Sequence, residues 1–184
     1  MLDNMDGLAI GIASLSVIYL VLISTPPSGN DPLIIPLGIT ILAALIAFWL
    51  FNYNPASIFM GDSGSLSIGF ILAALTIPGE LNYNFGLSLN TKIENYILLL
   101  IPVALLSVQI FDFTFVTINR LLQGKKPYIG GTDHTSHSLV KLGMSNKKAV
   151  FSLYFLGALG GAIALALKFY KFEAIIFYIS YFIG

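Results

Sequence analysis

The chain has 184 residues, 57% of them hydrophobic and 10% charged, with nine Lys+Arg balancing nine Asp+Glu and a mean hydropathy of +0.87. A water-facing domain carries about 25% charged residues, so polar side chains are too few here to clothe such a globule, and the lack of a basic excess excludes a nucleic-acid binder. The absence of cysteine excludes a disulfide scaffold, a thiolate metal site and a Cys nucleophile.

These features predict an all-α polytopic transmembrane bundle of five or six spans, a single membrane domain over residues 1–184. In chain order the apolar runs are Leu8–Thr25, Leu33–Phe51, Leu66–Ile77, Tyr96–Ile118, Val150–Leu167 and the short Phe172–Ile183. Thr25-Pro26-Pro27-Ser28-Gly29-Asn30 reads as a turn. Asn-Pro and Gly-Asp within Asn52–Asp62 read as a loop. Gly157, Gly160 and Gly161 on the fifth run let a neighbouring helix come close. Six of the nine basic residues (Arg120, Lys125, Lys126, Lys141, Lys147, Lys148) fall between Asn119 and Lys148. The positive-inside rule keeps that segment cytoplasmic. Alternating the spans back from it gathers Asp3, Asp6, Asn52, Asp62 and the His-bearing loop on the same face.

Four places hold groups able to do chemistry. Asp3 and Asp6 stand at the mouth of the first run and share a helix face if a helix already runs there; a solvated N-terminal turn is the plainer reading. Asp62 lies between glycines in Gly61-Asp62-Ser63-Gly64, where the backbone admits a ligand and a divalent cation is one partner for the acid; capping of the next helix is the other use. Asp112 is an acid inside the fourth run, so it faces the bundle or a wet cavity, either in a functional role or in a structural hydrogen bond. The loop Gly124–His137 carries both histidines, His134 and His137, with Lys, Asp and a Gly-Gly pair, a composition suited to a diphosphate; a plain positive-inside loop is the other reading, and a zinc pair lacks a third ligand nearby.

These strings resemble a known family. Asn54-Pro-Ala-Ser-Ile-Phe-Met-Gly-Asp-Ser-Gly-Ser-Leu66 is close to N-P-A-x-x-F-M-G-D-x-G-S-L of the polyprenyl-phosphate sugar-1-phosphate transferases (glycosyltransferase family 4). Asp3-Asn-Met-Asp6-Gly-Leu-Ala9 resembles D-(G/N)-x-D-G-L-A, and Arg120-Leu-Leu-Gln-Gly-Lys-Lys-Pro127 with Asp133-His134-Thr-Ser-His137 resembles the family's histidine loop. Ser136 stands where many members have a third histidine, and Thr132 and Ser138 stand where Arg is expected.

The resemblance implies a reaction: a UDP-sugar, most simply UDP-N-acetylglucosamine, gives its sugar-1-phosphate to a polyprenyl phosphate with Mg²⁺, releasing UMP for cell-envelope polysaccharide synthesis. It implies Asp62 as the metal acid and Asp3, Asp6, His134 and His137 as further catalytic positions. Asn52, Phe59, Arg120 and Asp133 are implied as substrate-binding. The expected setting is the cytoplasmic membrane of a prokaryote, with the site on the cytoplasmic face and membrane lipid and substrates as partners. A homodimer is compatible with this. The family's first acidic motif has no counterpart, so the chain is expected to be the C-terminal half of such an enzyme. Two alternatives stand beside transfer: an inactive membrane module that binds nucleotide-sugar or a partner, and an ion-relay transporter using Asp112.

Overall fold

The computed structural model describes residues 4–25, 33–76, 100–126, 131 and 133–169. Every regular element among them is helical: α1 (Leu8–Ser24), α2 (Ile34–Asn52), α3 (Gly61–Thr76), α4 (Ser107–Leu122), α5 (Thr135–Lys141) and α6 (Asn146–Phe169). Residues 100–105 form a further helical piece before α4.

Helix α1 is the central element and packs chiefly on α2 and α6. It is apolar on all sides, which suits a helix enclosed by others, and Leu8, Ile10, Ile12, Ala13 and Val17 are nearly or wholly inaccessible. Gly7, at φ +75, turns the chain into α1, a conformation that favours glycine. At the same end Leu8, Ile12, Val108, Val150 and Leu153 form one core cluster, which joins α1, α4 and α6. Close approach is real along α6: a Cβ at Gly160 would sit 2.6 Å from the Ala104 carbonyl oxygen, and one at Gly161 would meet the Tyr19 ring.

The expectation of five or six spans is not met. Among the described residues two helices are long and apolar enough to cross a membrane, α2 and α6, with mean hydropathies of 2.5 and 2.1. Helix length is the physical reason. At 1.5 Å per residue, α1 (17 residues), α3 and α4 (16 each) reach only about 24–26 Å, short of a hydrocarbon core of about 30 Å. The apolar run Tyr96–Ile118 looks continuous as sequence, yet its described part breaks at Leu106 (φ −101, ψ 15) and restarts as α4. The run Phe172–Ile183 lies outside the described residues. Only 17% of the apolar stretch of α2 and 28% of that of α6 is buried. Large side chains such as Leu50, Phe70, Phe113 and Phe155 are exposed. That pattern supports association with a membrane, because a core helix of a water-facing globule would bury such surface.

Candidate functional site

One end of the bundle collects the polar residues. Asp6 precedes α1, in a turn and not on a helix face. Its Oδ2 accepts hydrogen bonds from Asn54 Nδ2 (3.0 Å) and the Ala56 amide (3.2 Å). Asp6 thereby holds the turn after α2, which contains a cis Asn54–Pro55 bond. Asn52 is 3% exposed. Its Oδ1 accepts the Gly7 amide (3.1 Å) and its Nδ2 donates to the Ile58 carbonyl (2.8 Å). It therefore ties the start of α1 to the α2–α3 loop. Tyr154 of α6 donates its hydroxyl to the Gly7 carbonyl (2.6 Å) and accepts the Trp49 indole N–H (3.1 Å). Three helices thus converge on the Asp6–Gly7 turn.

Beside that turn lies a cavity of about 210 Å³, lined by Asn4, Asp6, Asn54, His137, Lys147 and Phe151 among others. It joins the N-terminal acidic stretch, the α2–α3 loop, α5 and the start of α6. Helix α5 is pinned over it by Ser136, which is fully buried and donates to Asn4 Oδ1 at 2.8 Å. The Asn4 Nδ2, also buried, has no hydrogen-bond partner among the described residues.

The other expected site residues are distributed differently. His134 does not line the cavity; its Nδ1 lies 2.8 Å from Asp112 Oδ2. Arg120 and Asp133 face each other, Nε to Oδ2 at 3.1 Å, with side chains 6% and 22% exposed. Phe59 is 76% exposed. Asp3 lies outside the described residues. Asp62 is exposed in the first turn of α3, where the helix dipole favours an acid. It follows Gly61, whose φ of +66 makes the turn.

Among the described residues no three His, Asp or Glu side chains are grouped to hold a metal. Mg²⁺ is commonly held by one or two carboxylates, with water and substrate phosphates completing its shell. The exposed Asp62 carboxylate fits that mode as a single protein ligand.

Asp112 is the residue that sequence reasoning left undecided. It is 3% exposed, and both oxygens are used: Oδ2 by His134 and Oδ1 by the Thr135 amide at 2.8 Å. The signal for it was already there as an acid in an apolar run.

The family model described as Glycosyl transferase family 4 matches residues 1–80. A "Probable undecaprenyl-phosphate N-acetylglucosaminyl 1-phosphate transferase" of Bacillus subtilis is 30% identical over 168 residues, 91% of this chain and 44% of that protein. A decaprenyl-phosphate N-acetylglucosaminephosphotransferase of Mycolicibacterium smegmatis is 30% identical over 83% of this chain and 39% of its own length. A phospho-N-acetylmuramoyl-pentapeptide-transferase of Latilactobacillus sakei is 44% identical over 75 residues, 41% of this chain. The chain is thus similar to polyprenyl-phosphate sugar-phosphate transferases. It spans less than half the length of these curated relatives. The expectation of a C-terminal half alone is corrected. The similarity runs over most of this chain and the family model matches from its first residue, because the motifs behind it are spread from Asp3 to His137.

Proposed function

We propose that these 184 residues are a membrane-associated module that binds a nucleotide-sugar within the architecture of a polyprenyl-phosphate sugar-1-phosphate transferase, and that they bind without turning over on their own. The observation that carries this reading is the cavity shared by Asp6, Asn54, His137 and Lys147, which come from four separate stretches. Lys147 and His137 supply donors and positive charge for phosphates, and the Asn4 and Asn54 amides supply paired donors and acceptors for a base or sugar. The exposed Phe59 ring offers a face for stacking. Asp62 would hold Mg²⁺, which when bound neutralises diphosphate charge. Asp6 and Asn52, locked by their hydrogen bonds, keep the cavity wall in place. The site then faces the cytoplasmic side, where the basic segment Asn119–Lys148 is held.

A second reading is full transfer of N-acetylglucosamine-1-phosphate to a polyprenyl phosphate with release of UMP. It is favoured by similarity over 91% of the chain to the B. subtilis protein. The ion-relay alternative finds less support, since both Asp112 oxygens are occupied by the α5 segment.

Binding and turnover are measured separately on the full chain in detergent. Calorimetric titration with UDP-N-acetylglucosamine is expected to show saturable, Mg²⁺-strengthened binding that Asp62→Asn reduces. No labelled sugar phosphate is expected to enter decaprenyl phosphate. Absence of binding sinks the module reading, and Mg²⁺-dependent transfer by this chain alone replaces it with the enzyme reading.

A further inference from the structure

The start of α5 is held by a buried carboxylate. Asp112, 3% exposed, offers Oδ1 to the Thr135 backbone N–H and Oδ2 to His134 Nδ1, each at 2.8 Å. An amide N–H can only donate. With one oxygen accepting it, a carboxylate that also accepts from the imidazole satisfies both groups with no added proton. We propose that Asp112 is a positioning residue that fixes His134 as its Nδ1–H form, so that Nε2 is the ring atom left to exchange a hydrogen bond or a proton with a phosphate-bearing ligand.

The His134 side chain is 20% exposed while Asp112 is 4% exposed, so the pair is open on the histidine side and closed on the acid side. Asp112 Oδ1 holds the backbone at Thr135, the next residue, so ring and chain are anchored to one carboxylate and Asp112 stays in place beside the imidazole. On the far side of the short helix, Ser136 is tied to Asn4. A ring nitrogen that donates to a carboxylate leaves the other nitrogen as a bare acceptor when neutral and as a donor when charged. In both states Nδ1–H stays on Asp112, so proton exchange is confined to Nε2. The ligand part of the inference rests on the nucleotide-sugar reading above; the tautomer does not.

The chain has two histidines, which makes the test direct. The full chain, labelled with ¹⁵N-histidine and carrying His137→Gln, gives the signals of the His134 ring alone. With the imidazole neutral and no nucleotide present, Nδ1 is expected to give the protonated, pyrrole-type signal and Nε2 the bare, pyridine-type signal. Asp112→Asn keeps an oxygen for the Thr135 amide and turns its NH₂ toward Nδ1, so the two signals are expected to change places. A wild-type ring with bare Nδ1, or an Asp112→Asn ring unchanged from wild type, overturns the proposal. The wild-type spectrum decides even if the variant does not fold. UDP-N-acetylglucosamine is then added to the chain with His137 intact, whose His134 signals the His137→Gln spectrum assigns: a shift at Nε2 with Nδ1 unmoved is expected. A fixed tautomer with no shift leaves Asp112 as the fixer of the ring and removes the ligand part instead.

Discussion

Asn52 shows how one side chain ties together the segments around a candidate site. Its amide joins the Gly7 N–H to the Ile58 carbonyl from a buried position. Removing it leaves a buried donor and a carbonyl without this partner, at about 1–3 kcal/mol for a buried polar group left unsatisfied. Asn52→Ala is therefore expected to lower the thermal unfolding midpoint in detergent and to weaken nucleotide-sugar binding indirectly. If the midpoint is unchanged, the latch is not structural. Asp6 acts similarly on the 54–56 turn through two hydrogen bonds. The sequence pointed to both residues through motif similarity. It could not tell a ligand contact from a latch, because that depends on partners 45–50 positions away.

Between helices the decisive residues are small. Gly160 meets the Ala104 carbonyl and Ser107, and Gly161 meets the Tyr19 ring, so neither has room for a methyl group without displacing a neighbour. Overpacking of this kind costs about 1–3 kcal/mol. Gly160→Ala is expected to destabilise by that amount. Ala162→Leu, on the exposed side of the same helix, is expected to change stability by less than about 0.5 kcal/mol. Unfolding curves of both in one detergent check the contrast, and equal effects would contradict the packing described. The need for close approach was legible from Gly157, Gly160 and Gly161 alone. Which helix approaches was not, since periodicity names a face and not its partner.

At the scale of the whole molecule, the described residues that line the cavity come together from separate stretches, and exposed apolar side chains lie along the helices. The chain contains no cysteine, so single introduced cysteines can be labelled without background. Ser57→Cys and Lys147→Cys are both at exposed positions near the Asn54 and Lys147 walls of the cavity. In proteoliposomes an impermeant maleimide is expected to label both from the same side. Labelling from opposite sides would separate the acidic turn from the start of α6 and undo the shared cavity.

Composition and patterning by themselves determined that the described residues are helical and that their apolar surface suits lipid, and they singled out the acids and histidines as candidates. These are local properties, carried by hydropathy and residue type. Only the tertiary structure decided where apolar runs break, as at Leu106, and that among the described residues two helices, not five or six, are long enough and apolar enough to cross a bilayer. It also decided how the motif residues divide: Asp6 and His137 at the cavity, Arg120 with Asp133, His134 with Asp112. Hydrogen-bond pairing is set by distances across the fold, and a linear pattern carries no information about those distances.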